Sequence, residues 1–361
     1  MTVPPKPEPT GLFERATRRL PVERTPVWFM RQAGRTLPEY RKLRERWTLL
    51  QMCADPALCA EVTLQPMRRM PLDAAVMFGD IMLPLVGIGV DLDIVEGVGP
   101  VIAHPIRDLA GVAALRDLEP EADVPAAIEA VRLVRAALEP ERAVLGFAGA
   151  PFTLAAYLVE GRPTRDFAKT KALMLGAPDV WAALMERLVA IVVRFMRANA
   201  QAGVSALQLF DSWVGALSVT DYDRHVRPWT QQVFAGLRDL DVPLVHFGTG
   251  CSHLLDQMKD DGAHIIGLDW RTPLDEAWAR VGHDKGVQGN LDPAALSAPA
   301  DVVAAAAREV LDRAAGRPGH VFNLGHGMLP HTPLANIERV VEVVQTYRPS
   351  TVVTDAMAPA A

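Results

Sequence analysis

The sequence has 361 residues, half of them apolar, which is enough for one large domain or two ordinary ones and too hydrophobic for a disordered chain. A formal net charge of -6 and a pI near 5.9 lack the basic excess of a nucleic-acid binder. Three sparse cysteines, Cys53, Cys59 and Cys251, make no disulfide framework and suit a reducing compartment, so a cytoplasmic location is expected.

The opening stretch "MTVPPKPEPTG" is proline-rich and has no apolar core for a signal peptide; residues 1–12 read as a disordered tail. The first apolar run, "PVWFM" (26–30), leads straight into Arg31 and Arg35. From Glu14 to Arg46, ten Lys or Arg stand against four Glu. Arg41, Lys42, Arg44 and Arg46 read as the solvated face of a helix, whereas Arg31 and Arg35 differ in having apolar neighbours. Gly34, between those two, is expected to turn the chain so that both face one side. Further short runs follow: "DAAVMFG" (73–79), "AVLGFAG" (143–149), "VSALQLF" (204–210), "PLVHFG" (243–248), "AHIIGLD" (263–269), "GVQGN" (286–290) and "HVFNLG" (320–325). Between the second and third runs, "VDLDIVEGVGPVIAHPI" (90–106) reads as a β-hairpin excursion around Gly97 and Gly99. Helical patterns cover 126–138, 179–203, 301–315 and 335–347. In 179–203, Trp181, Leu184, Leu188, Ile191, Val192 and Phe195 share one stripe that Gly203 is placed to end.

The runs lack period-two alternation, as strands buried on both faces do, and helices separate them. The predicted fold is therefore α/β: a single-domain (β/α)8 (TIM) barrel over 13–350, with a flexible tail at 351–361. Each run ends in polar or unusual residues: Arg31, Asp80, Pro151, Asp211 with Ser212, Thr249, Asp269 with Trp270, Asn290 with Asp292, and His326. In a barrel these share the rim where active sites form. No Walker A, G-x-S-x-G or H-E-x-x-H pattern occurs, and the "GIG" at 87–89 lacks a third glycine. His246, Cys251 and His253 have no recognised ligand spacing, so no metal is expected. No apolar run reaches the roughly 18 residues of a membrane span. The candidate rim residues suit binding a carboxylate-rich substrate and handling protons.

"PVWFMRQAGRTLPEY" (26–40) and "GFAGAPFTLAAYLVEG" (146–161) resemble the two signatures of the uroporphyrinogen decarboxylase family. The likeness continues through "LQPMRRMPLDAAVMFGDIMLP" (64–84), "LQLFDSW" (207–213), "GLDWRTPLDEA" (267–277), "QGNLDP" (288–293) and "FNLGHGMLPHTP" (322–333). The resemblance implies a distorted barrel, usually a homodimer, which without cofactor or metal converts the four acetates of uroporphyrinogen III to methyls. The products are coproporphyrinogen III and four CO2, in porphyrin and haem biosynthesis. It also implies Asp80 as the catalytic carboxylate at the macrocycle centre, and Arg31 and Arg35 as carboxylate binders, with Arg31 a candidate proton donor. Tyr157, Ser212 and His326 match further substrate-binding positions, Phe210 a cleft wall, and Gln32, Ala33 and Gly34 contacts around the arginines. Plainer readings stand beside these: Asp80 as a loop cap before a helix, Tyr157 as a half-buried aromatic. The stretch "RHVRPW" (224–229) departs from the family pattern. A related methyltransferase would hold zinc with His-x-Cys, but His246 is followed two places on by Gly248.

Overall fold

Nine strands form. They are β1 (Ala74–Val76), an antiparallel pair β2 (Leu92–Val95) and β3 (Gly99–Ile102), then β4 (Ala143–Gly149), β5 (Ala206–Asp211), β6 (Leu244–Gly248), β7 (Ile265–Gly267), β8 (Gly286–Leu291) and β9 (His320–Leu324). The structure is a computed structural model and describes residues 11–95 and 97–349. β1 and β4 to β9 pair in parallel in chain order, while β2 and β3 stand apart as the expected hairpin. Helices intervene, several opening on a proline whose missing N–H costs nothing at a first turn: Pro56–Arg69, Pro125–Ala137, Pro151–Glu160 and Pro178–Ala202. The last of these buries the whole predicted stripe from Trp181 to Phe195 and ends at Gly203, whose φ is 110°. Helices Ala300–Ala314 and Leu334–Thr346 match the two later patterns.

Alternation along the strands sorts two cores. Val27, Phe29, Ala75, Val144, Leu207 and Leu209 face outward to the helices. Trp28, Met30, Ala74, Val76, Ala143, Leu145, Ala206, Phe247 and Val321 fill the barrel interior. Inside, β4 runs Ala143, Leu145, Phe147 and β5 runs Ala206, Gln208, Phe210, so the bulk grows toward the C-terminal rim. One polar path crosses this interior. The Trp28 indole donates to Gln288 Oε1 (3.1 Å), Gln288 Nε2 donates to Gln208 Oε1 (2.8 Å), and Gln208 Nε2 points to Met30 Sδ (3.8 Å).

The expected first strand, 26–30, is corrected: it makes one bridge, Val27 to Phe322, and no ladder. Pro26 has no N–H, and side chains replace the missing ladder bonds. Val27 N donates to Asp73 Oδ2 (2.8 Å), Phe29 N to Gln32 Oε1 (2.9 Å) and Met30 N to Asn323 Oδ1 (3.0 Å). Backbone bonds from Phe322 N to Pro26 O (2.9 Å) and from Asp73 N to Val27 O (3.0 Å) tie this stave to β9 on one side and the entry of β1 on the other. The expected tails 1–12 and 351–361 lie outside the described residues, save Gly11, which is buried, and Leu12, which opens helix Leu12–Thr17.

Asp73 also takes both guanidinium nitrogens of Arg24 at 2.8 Å. Replacing it leaves a buried N–H and a half-buried cation without their acceptor. Asp73→Ala is expected to lose about 2–4 kcal/mol in chemical denaturation; a loss below about 0.5 kcal/mol would mean the seam is held by its backbone bonds alone.

Candidate active site

Arg31 ends the stave in the left-handed region, at φ 62°, which a residue with a side chain occupies only where its surroundings impose it. The turn was expected at Gly34; Gly34 does not have a positive φ, and Arg31 makes the turn itself. The constraint is visible on both sides. Gln32 behind it is buried, its amide locked between Phe29 N and Ala74 O (3.0 Å). In front, a Cβ on Gly327 would lie 2.5 Å from Arg31 Cδ, so only glycine leaves room for the arginine to pass. Gln32 is thus buried in the seam, while Ala33 and Gly34 are half-buried and Arg35 is exposed. Arg41 Nη1 holds the loop by its hydrogen bond to Arg35 O (2.9 Å).

Asp80 follows β1 and its Oδ1 accepts from Met82 N at 2.9 Å, closing a side-chain turn just ahead of helix Leu83–Gly87. The N-cap of that helix is Met82, not Asp80 as the plainer reading held. Burial pushes the Asp80 carboxyl above the ordinary value, against the pull of the Met82 N–H and the Arg31 charge. Tyr157 is the one residue of helix Pro151–Glu160 that is not buried, and Gly161, at φ 81°, closes the helix just beyond it. Burial and the Asp80 charge push its phenol up to about 12. His326 lies between Gly325 and Gly327; burial, then the Arg31 charge, hold its imidazole below the usual range. Arg31 is thus within electrostatic reach of Asp80, Tyr157 and His326 alike.

The floor of the expected cleft is aromatic. Phe210 packs edge-on against Phe147 (5.5 Å, 89°) and Phe247 (5.7 Å, 72°), and Phe147 reaches a cavity of about 20 Å³ beside Asp80. Ser212 is half-buried at the end of β5. A larger groove of about 320 Å³ lies at the opposite end of the strands, between Arg18, Arg135, Ser205 and Asp241, and includes none of the expected site residues.

Not every polar strand end faces the cleft. Asp211 is buried and accepts from Thr153 Oγ1 (2.8 Å), which itself accepts from Trp213 N (3.3 Å). Thr153 sits one turn before Tyr157, so this contact braces the tyrosine's helix against the strand end that carries Ser212. Behind Asp211, His246 stands 3.8 Å from its Oδ2 and 3.6 Å from Asp261 Oδ2, and Arg227 Nε donates to Asp261 Oδ1 (2.9 Å). Burial raises the Asp261 carboxyl to about 6. Arg227 lies in the divergent "RHVRPW" and is paired with both Asp261 and Asp223. Asn290 bonds Asp269 O and Thr272 O, and Asp292 caps a short helical turn at Ala294. These residues lock loops. Sequence reasoning missed Thr153 and Phe147 as site residues because a buried hydroxyl in an apolar helix and one more strand phenylalanine carry no distinguishing pattern. Among the described residues, no three His, Cys, Asp or Glu gather as a metal-binding group.

A family model described as uroporphyrinogen decarboxylase matches residues 8–347. The chain belongs to the uroporphyrinogen decarboxylase family. A uroporphyrinogen decarboxylase of Thermobifida fusca is 58% identical over 335 residues, covering 92% of this chain and 92% of that protein. One from Sorangium cellulosum is 51% identical, covering 92% and 95%. A solved structure of a methyltransferase from Methanosarcina mazei superposes with a TM-score of 0.78 at 19% identity, over 92% of this chain and 97% of that one, which bears on the fold alone.

Gly327→Ala is expected to keep the fold, because the atom it meets belongs to a flexible side chain, yet to displace Arg31 and lower kcat/KM at least roughly tenfold. Kinetics together with a thermal melt check this; an unchanged kcat/KM in a folded variant contradicts the placement of Arg31.

Proposed function

We propose that Asp80 organises the chemistry of this site. As a family member the chain is a carboxy-lyase acting on uroporphyrinogen. In the proposed course, a pyrrole of uroporphyrinogen III is protonated beside an acetate, and the cationic ring takes the bonding electrons as CO2 leaves. The resulting methylene carbon then takes a proton and the ring proton is released, so each acetate carboxylate and one proton give a methyl and one CO2. Four rounds yield coproporphyrinogen III. The substrate is its own electron sink, and the scheme therefore calls for no cofactor.

The observation that carries this reading is the Asp80 carboxyl beyond the end of β1, oriented by Met82 N (2.9 Å) and within reach of the Arg31 charge. Its anion is positioned to offset the ring cation through the pyrrole N–H groups, and charge preorganised in a dry site is commonly the largest catalytic contribution. Arg31 and Arg35 bind substrate carboxylates, and Arg31, exposed at the mouth, also passes the proton from water. Tyr157, neutral at working pH, and Ser212 donate to carboxylate oxygens; His326 binds as a neutral imidazole. Phe210, with Phe147, walls the macrocycle from water. Gln32, Ala33 and Gly34 shape the arginine loop. A homodimer in the cytoplasm completes the proposal; no described helix is long and apolar enough to cross a membrane. Sedimentation equilibrium giving a monomer at micromolar concentration would remove the dimer from it.

Anaerobic incubation with uroporphyrinogen III, followed by oxidation and chromatography by carboxylate number, should accumulate the four-carboxylate product. Asp80→Asn should bind substrate and lose at least roughly a hundredfold in kcat; near wild-type turnover would remove Asp80 from its role. Stability gives an independent check. A carboxyl whose folded pKa is raised destabilises the fold increasingly as pH rises from its unfolded value, about 3.9, through its folded one. Asp80→Asn is thus expected to melt above wild type at pH 7, the gap closing toward pH 4.

A further inference from the structure

The turn at His326 is flanked by Arg31 on one side and by the Trp270–Arg271 stack on the other. On one side Arg31 lies against Gly327. On the other, a Cβ at Gly325 would lie 2.4 Å from Trp270 N, so the turn rests directly on the start of the next loop. The Trp270 ring stands edge-on to the His326 imidazole at 6.4 Å and 85°. Over that ring lies a second guanidinium, with Arg271 Cζ 4.1 Å from the centroid.

Arg271 is held but not consumed. Its Nη1 bonds Asp269 Oδ2 at 2.7 Å, its backbone N–H bonds Oδ1 at 3.0 Å, and its side chain remains 48% exposed. Asp269 is buried and also accepts from Gly250 N, so its charge is shared over three donors. The guanidinium presents several donors, one of which is bonded among the described residues. Stacking on tryptophan and pairing at one edge fix the plane, which lowers the entropy lost when the free edge takes a planar acceptor. His326, between the two cations, is depressed by both charges.

We propose that Arg271 is a substrate-binding residue: with His326 it receives a carboxylate of the tetrapyrrole on the side of the cleft away from the reacting acetate. This rests on the function proposed above. Asp80 is half-buried beyond the end of β1, whereas Arg271 sits half-exposed on the rim, where it meets a remote, non-reacting carboxylate. Such a contact is equal in the ground and transition states and lowers KM without raising kcat.

The test uses the full chain with Arg271→Gln and Arg271→Lys. Binding of uroporphyrin, the stable oxidised octacarboxylate, is measured by fluorescence, turnover is measured with uroporphyrinogen III, and the His326 titration in the free protein is followed by NMR. Arg271→Gln should weaken uroporphyrin binding and raise KM roughly tenfold with kcat within about twofold, and should shift the His326 pKa upward. Arg271→Lys should restore most of the binding and leave His326 near its wild-type pKa. Unchanged Kd and KM in Arg271→Gln overturn the proposal, as does a Lys variant that binds as poorly as Gln while His326 titrates as in wild type. Wild-type protein that binds uroporphyrin but never decarboxylates uroporphyrinogen counts against the function, and the Kd comparison still decides Arg271.

Discussion

The site depends on how the barrel closes. Seven strands pair by regular ladders, and the remaining gap is spanned by a stave that makes one bridge to β9 and whose other amides are satisfied by Asp73, Gln32 and Asn323. A ladder strand must stay extended to keep its bonds in register. A stave held by side chains is released from that condition, and its last residue is free to leave the β region. That is where Arg31 departs, and the charge felt by Asp80, Tyr157 and His326 follows from it.

Around that cation, burial and charge are set against each other differently at each group. Burial favours a neutral Asp80 and Arg31 opposes it. For His326 burial and Arg31 act together, so the imidazole stays neutral and offers one donor and one acceptor. Tyr157 is kept a phenol. One arginine thus biases its acid neighbour toward charge and its basic neighbour away from it, which suits a site that must hold an anion for a ring cation without collecting competing cations of its own.

Much of this was legible in the sequence, and for identifiable reasons. The run at 143–149 coincides with β4 because Gly149 and Pro151 punctuate it, and the stripe from Trp181 to Phe195 could only be a buried helix face. The stave was read as a strand because its side-chain partners lie 46 and 293 residues away, at Asp73 and Asn323, beyond any local pattern. The same distance hid the left-handed Arg31: glycine is the usual occupant of that conformation, so Gly34 drew the turn, while the glycine that matters sits across the cleft at 327. Strand-end polarity found the rim but could not separate groups that lock loops, such as Asp211 and Asn290, from groups that face substrate.

The polar path through the barrel has a further consequence. An indole nitrogen only donates, so Trp28 fixes the amide orientation of Gln288, and through it that of Gln208, until the sequence of donors ends on the sulfur of Met30. It therefore starts and finishes on the same short stave. Sliding that stave by one residue would turn Phe29 inward, and the path would lose both its first donor and its final acceptor. A stave with so few ladder bonds is in this way keyed like a tumbler lock, admitting one position along the barrel axis.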